Sequence, residues 1–345
     1  MPNGQSLDEI DGRTGAEVSD EVSRPAARDS SIDVTASAAS EVDAQGPYAV
    51  VVDNLSFTYA GSVEPALSNV NLRIRKGEVV LLVGLTAAGK STLYLALSGL
   101  IPHVVKGVMT GTVTIGGLDT ADTPLPSLSE HVGLVLQDPG MQLFSLSVED
   151  ELAFGPENLG VAPDEIRRRV DEAVKVVGLE GLLQMEPGKL SGGQQQSVAV
   201  GAIWAMLPDV LVLDEPTSNL DPVGSRRALR LVQELSQRWG KTVLIAEHKI
   251  DAITPFADRV LIMENGSIVE DGTPAEVFGD RNLQTSHGVQ PPITCQVAHL
   301  LSALQLEWDG PLPLTVTRAA AILDALLPVN HSIARQANDS GEHHD

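Results

Sequence analysis

One cysteine, Cys295, occurs in 345 residues, which excludes an intrachain disulfide and a cysteine-built zinc cluster. It reads as a small residue packed beside a helix at about 295–305. Basic residues are also scarce, with 23 Lys and Arg against 46 Asp and Glu, for a net charge of −23. The longest basic stretch is Arg167-Arg168-Arg169. A nucleic-acid surface needs clustered cations to displace counterions, so no nucleic-acid partner is expected. No run of about 18 apolar residues is present to span a bilayer. The acidic N-terminus lacks the basic-then-apolar form of a signal peptide. The expectation is a cytoplasmic chain, soluble by itself, that reaches a membrane only by docking. Aromatics are few, at 3%, but an apolar fraction of 43% is enough for the core of one large α/β domain with a small appendage.

Residues 1–46 hold ten acidic and three basic residues among Ser, Ala, Gly and Thr, without a sustained apolar period. That composition cannot offset its ordering entropy, so the segment reads as a disordered acidic tail. Order is expected from Tyr48. Ala49–Val52, Leu55–Tyr59 and Val70–Ile74 read as strands, as do Gly111–Gly117 and His131–Leu136. Ser147-Val148-Glu149-Asp150 and Pro163-Asp164-Glu165-Ile166 read as helix starts. Strand and helix alternate again from Val210–Leu213 through Val223–Trp239 to Thr242–Ala246. A hairpin, Arg259–Met263 with Ser267–Glu270, then turns at Asn265-Gly266. The pattern predicts an α/β fold: a parallel sheet with helices on both faces, interrupted by a helical insert. Past Phe278, helices at about 295–305 and 316–327 suggest an accessory domain, and residues from about 329 onward read as frayed.

Three stretches carry chemistry. Gly84-Leu85-Thr86-Ala87-Ala88-Gly89-Lys90-Ser91-Thr92 lies between an apolar strand, Glu78–Val83, and a helix beginning near Leu93. In that context G-x-x-x-x-G-K-[ST] is a phosphate loop, with backbone N–H groups and a helix N-terminus facing the anion. Lys90 can reach the β- and γ-phosphates, and the Ser91 hydroxyl can ligate Mg²⁺. Val210–Leu213 ends in Asp214 and Glu215, which places two acids at a strand's carboxyl end. Asp214 would hold Mg²⁺ through water, and Glu215 would polarise the attacking water. Leu190-Ser191-Gly192-Gly193-Gln194 is a second helix start suited to phosphate.

With LSGGQ followed by LDEPTSNLDP, the chain resembles an ATP-binding cassette (ABC) ATPase. The resemblance implies a P-loop NTPase cassette: a RecA-like parallel core, an antiparallel β subdomain and a helical subdomain at about 138–195, all within 47–280. Residues 281–328 would be the accessory domain and 329–345 a disordered tail. It implies that Gln137 senses Mg²⁺ and water, and that His248 contacts the γ-phosphate. Ser218-Asn219-Leu220-Asp221 would be the dimer-contacting loop. Tyr59 would stack on adenine, with Phe57 as the alternative. It also implies ATP and Mg²⁺ as ligands, and a second cassette whose Walker loop faces Ser191, Gly192, Gly193 and Gln194. Two departures stand out. Ala87 replaces a glycine, straining any φ > 0 by about 1 kcal/mol, and Ser197 replaces a basic residue.

A finer resemblance, over residues 48–327, is to the ATPases of energy-coupling factor (ECF) transporters for cobalt and vitamin uptake. Gln137-Asp138-Pro139-Gly140-Met141-Gln142-Leu143-Phe144 resembles that group's QDPxxQLF. So do Phe154–Asn158, Glu247–Asp251, Gly288–Pro292 and Pro313–Val316 in their places. This implies a second ATPase subunit, a transmembrane coupling protein, a small membrane protein that captures the cargo, and a position on the cytoplasmic face of the membrane. Met141, Leu143 and Phe144 become candidate contacts to the coupling protein, with internal packing the competing reading. A soluble, non-transport ABC ATPase and the ATPase of a binding-protein-dependent importer remain as alternatives.

Overall fold

Side chains of the apolar strand Val79–Val83 divide between two hydrophobic clusters. Val79, Leu81 and Val83 enter one, while Val80 and Leu82 enter the other. A strand buried on both faces belongs at the centre of a layered sheet, and the computed structural model places it there. The structure describes residues 47–326 except Asn219, Glu307 and Asp309; the tails expected at 1–46 and 329–345 lie outside the described residues.

Two sheets are formed. Strands β1 (Tyr48–Tyr59), β2 (Leu67–Arg75), β4 (Gly107–Ile115) and β5 (Leu118–Asp119) make an antiparallel sheet in the order β2-β1-β4-β5. The stretches Ala49–Val52 and Leu55–Tyr59 are one continuous strand, with register shifts around Asp53 and Asn54. The second sheet has the order β10-β9-β3-β8-β7-β6. It comprises β3 (Val79–Val83), β6 (Val132–Val135), β7 (Val210–Asp214), β8 (Thr242–Ala246), β9 (Arg259–Glu264) and β10 (Ser267–Gly272). All its pairings are parallel except that of β9 with β10, the hairpin at Asn265-Gly266.

Helices lie on both faces of the parallel sheet, as expected, but the two faces are covered differently. One face meets helix α1 (Lys90–Leu97), through Leu93, Tyr94, Ala96 and Leu97, together with the apolar side of the antiparallel sheet, including Val50, Val52 and Ile74. The other meets α2 (Val148–Asn158), α3 (Pro163–Val177), α4 (Gly192–Ala205) and α5 (Pro222–Gln237). Ser147 caps α2 by accepting from Asp150 N, and Glu149, Asp150 and Glu151 supply the acidic first turn. Trp204 on α4 is fully buried and meets Trp239 edge-on at 5.1 Å.

Beyond Phe278, Leu283, Val289 and Cys295 join the same apolar cluster as Leu81 and Leu213. Cys295 lies on helix α6 (Ile293–Ala303) rather than beside one, and burial pushes its thiol up to about 11. Helix α7 (Val316–Leu326) follows, and Leu312 and Leu314 pack against that shared cluster.

Candidate functional site

Parallel strands align their carboxyl ends. Register pairs Val83 with Ile262, Val135 with Leu213 and Asp214 with Ala246. The loops after β3, β6, β7 and β8 therefore leave the sheet at one edge, where α/β sheets bind ligands. Those loops carry Gly84–Gly89, Gln137, Glu215 and His248.

The loop after β3 is shaped by close approach. A Cβ at Gly84 would stand 2.3 Å from the Met263 carbonyl oxygen. Gly89, with φ +106°, begins α1 and has Ala66 O only 2.8 Å from where a Cβ would be. Ala87 sits at φ +65°, so the strain expected of alanine here is present in the backbone. Lys90 Nζ donates to the carbonyls of Gly84 at 2.8 Å and Leu85 at 3.0 Å, which hold the ammonium within the loop. Burial lowers the Lys90 pKa, partly countered by the charges of Glu215 and Asp214.

Ser91 and Asp214 meet across the sheet, the Ser91 hydroxyl donating to Asp214 Oδ2 at 2.8 Å. Desolvation raises the Asp214 pKa, opposed by the Ser91 hydrogen bond and by Lys90 and His248. Glu215 follows at φ +48°, a strained conformation for a residue with a side chain. Its Oε2 accepts from Gln137 Nε2 at 2.8 Å, and its Oε1 lies 2.8 Å from His248 Nε2. Lys90, Ser91, Gln137, Asp214, Glu215 and His248 thus form one cluster.

Ser91 hydroxyl, Asp214 carboxylate and Gln137 amide are oxygen-bearing groups of the kind Mg²⁺ prefers, and Mg²⁺ commonly takes one or two protein carboxylates plus phosphate and water. The side-chain pairing of Ser91 with Asp214 shows that two of these groups can reach one point, so the residues fit the ion. Among the described residues no group of three His, Cys, Asp or Glu side chains makes a protein-only metal cage.

Tyr59 lies beside the phosphate loop, its hydroxyl 3.0 Å from Thr92 Oγ1 and its ring edge-on to Phe57 at 5.0 Å. Phe57 is only 1% exposed, which removes it as the stacking alternative. Leu85 and Thr86 are exposed on the loop, while Ala88 packs into the core.

The remaining residues gather elsewhere. Ser191 caps α4 in a reciprocal box: Gln194 Oε1 accepts from Ser191 N at 3.0 Å, and Ser191 Oγ accepts from Gln194 N at 3.4 Å. Gln194 is therefore committed to shaping the helix start. Asp221 caps α5 by accepting from Gly224 N at 2.6 Å. Ser191, Gly192, Gly193, Gln194 and Asp221 line one cavity of about 430 Å³, together with Arg227. No residue of the phosphate loop lines it. Arg227 was not singled out by sequence, because nothing local distinguishes it from its neighbour Arg226. Ser197, the second departure, is buried on α4.

Two side chains fix the loop 137–146, Gln142 of the QDPxxQLF-like motif and Glu151, which carried no signal in the sequence. Gln142 accepts from Leu136 N at 2.8 Å and donates to Leu134 O at 3.0 Å, tying the loop to β6. Buried Glu151 accepts from Phe144 N at 3.0 Å and Ser145 N at 2.8 Å. Between these anchors Met141, Phe144 and Leu146 are 81%, 64% and 85% exposed, and Phe144 meets Phe154 edge-on at 4.7 Å. Leu143 instead packs against the core. The candidate trio therefore divides, with Met141 and Phe144 outward and Leu143 inward.

The family model described as ABC transporter matches residues 67–218. A Methanosarcina mazei protein described as an ABC transporter ATP-binding protein is 42% identical over 259 residues, 74% of this chain but 44% of the relative. The chain thus spans under half the length of that relative. A Pyrococcus horikoshii protein of the same description is 40% identical over 252 residues, 73% of this chain and 89% of the relative. The solved structure of cbiO1 from Clostridium perfringens, titled as part of the ABC transporter complex cbiONQ, superposes with a TM-score of 0.61. It is 34% identical and covers 74% of this chain and 99% of that one. Phosphate loop, paired acids, capped signature helix and these likenesses together show that the chain belongs to the family of ABC transporter ATP-binding proteins.

Proposed function

We propose that this chain binds and hydrolyses ATP as a subunit of a membrane transporter of the energy-coupling factor type, driving uptake of a vitamin or a transition-metal ion. The observation that carries the transport half is the outward set Met141, Phe144 and Leu146, held on a loop fixed by Gln142 and Glu151. Apolar side chains displayed from a pinned loop suit a protein partner. The same loop begins at Gln137, whose amide holds Glu215. A helix docked there would bear directly on the catalytic cluster. The likeness to cbiO1 supports the finer assignment. Among the described residues no helix is long and apolar enough to cross a membrane, which agrees with a peripheral subunit beneath a transmembrane coupling protein and a small capture protein.

In the mechanism, the N–H groups of Gly84–Ser91 and the Lys90 ammonium bind the β- and γ-phosphates. Ser91, and Asp214 through water, with Gln137 nearby, would hold Mg²⁺, which would supply charge neutralisation at the phosphates. Glu215 orients the attacking water on the γ-phosphorus, and His248 and Gln137 fix the direction of its carboxylate. The cavity of Ser191, Gly192, Gly193 and Asp221 has no phosphate loop of its own, so a second cassette, identical or paralogous, brings its ATP there. Closure on ATP and opening after hydrolysis would then move the docked coupling protein.

Affinity purification of the tagged chain from gently solubilised membranes, with mass spectrometry of what co-purifies, tests this reading. A second cassette, a multi-spanning protein and a small hydrophobic protein are expected. Recovery of soluble partners alone would sink the transporter while leaving the ATPase chemistry standing.

A further inference from the structure

Glu247, immediately after β8, is 3% exposed and its carboxylate is surrounded by donors. Oε2 accepts from Thr217 N at 3.2 Å and from Thr217 Oγ1 at 2.6 Å. Oε1 accepts from the backbone N–H groups of His248 at 3.0 Å and Lys249 at 3.2 Å. One buried carboxylate thus binds two loops, with one oxygen for each. The first follows β7 and runs from Glu215 to Ser218 and Asp221, which the family resemblance assigns to the dimer-contacting loop; the second carries His248. Two further bonds span the same gap, Lys249 Nζ to Thr217 O at 3.2 Å and Glu215 N to Ala246 O at 3.0 Å.

We infer that Glu247 is a positioning residue for hydrolysis, which sets the spacing of the Glu215 and His248 loops and transmits movement of residues 217–221 to His248. The inference rests on the roles proposed for Glu215 and His248. Its physical basis is the match of acceptors to donors. Two oxygens face two donors each, and a carboxylate is the one side chain of this length with no donor of its own. A buried donor deprived of its acceptor is costly, so the loops are held firmly in this spacing. Glutamine keeps the length but turns an amide nitrogen toward one of the two donor pairs, so one loop loses its anchor. The catalytic pair is then displaced while the phosphate loop, on β3, is untouched. Small displacements of aligned groups reduce turnover steeply.

The test is a double-mutant cycle in the full-length chain. Glu247→Gln is expected to lower kcat for ATP hydrolysis at least about tenfold with KM changed less than about twofold. In a His248→Ala background, followed by single-turnover hydrolysis, the same substitution should lower the rate less than about threefold, because without the His248 side chain its spacing from Glu215 no longer matters. A wild-type kcat in Glu247→Gln, or an equal fold loss in both backgrounds, would overturn the inference. So would a loss expressed in KM, which marks general damage to the nucleotide site. If Glu247→Gln does not fold, Thr217→Val removes one donor from the same carboxylate and is read by the same criteria. Glu215→Gln runs alongside. Normal hydrolysis by Glu215→Gln would refute the role of Glu215 itself, whereas an inactive Glu215→Gln beside a fully active Glu247→Gln would refute only the positioning role.

Discussion

His248 Nε2 lies 2.8 Å from Glu215 Oε1, a side-chain contact between the ends of two neighbouring parallel strands. Gln137 occupies the other oxygen of the same carboxylate from the end of a third strand. Glu215 is thereby flanked by side chains from two separate loops.

Replacing Glu215 with Gln substitutes an amide for the carboxylate that Gln137 and His248 approach, and removes the proposed base. Hydrolysis should fall by about 100-fold or more, while ATP affinity, which rests on the loop 84–92, is retained. Phosphate release and size-exclusion chromatography in ATP check this, with a persistent ATP-bound dimer as the expected species. Near-normal turnover would refute the assignment.

Asp214→Asn is expected to stabilise the fold at neutral pH by roughly 1 kcal/mol while abolishing metal-supported hydrolysis. The Asp214 pKa is raised in the folded state by desolvation. The native chain therefore binds more protons than the unfolded chain between the two pKa values, and wild-type stability falls as pH rises through that window. The advantage of the asparagine variant should be full above the raised folded-state pKa and fade as pH falls through it. Denaturant unfolding across the acidic range measures this, and a pH-independent difference would contradict it.

Ala87 adopts φ +65°. Glycine there relieves about 1–2 kcal/mol of left-handed strain but adds about 0.5–1 kcal/mol of unfolded-state entropy. Ala87→Gly should leave stability unchanged or raise it by up to about 1 kcal/mol, with turnover undiminished. Thermal melts and ATPase rates decide the matter, and a clear loss of stability would show that the alanine methyl makes a compensating contact.

Met141→Ser combined with Leu146→Ser changes two largely exposed side chains. Stability should shift by no more than about 0.5 kcal/mol per site, and hydrolysis by the purified chain should be unaltered. Co-purification of membrane proteins should be lost. Retained co-purification would move the docking surface elsewhere.

Much of the site was legible because its determinants are local. Strand β3, the glycines and Lys90 are contiguous, so hydrophobic run, turn and helix start all fall in one short window. The Ser191 cap needs only Gln194 three residues later. Phe57 and Leu143 were less legible, since apolar residues in a strand or loop read alike whether they face core or solvent.

The sequence by itself determined the elements and their chemistry: an apolar strand ending in Asp214 and Glu215, a phosphate loop, and a helix start without phosphate of its own. Only the tertiary structure decided which of these groups touch. Ser91 meets Asp214 across 123 positions and Gln137 meets Glu215 across 78. Those contacts follow from the strand order β9-β3-β8-β7-β6, which aligns carboxyl ends that are remote along the chain. The placement of Glu247 between Thr217 and the His248 backbone has the same origin. A glutamate after a strand is ordinary in sequence, and it becomes a link between loops only because β7 and β8 are neighbours.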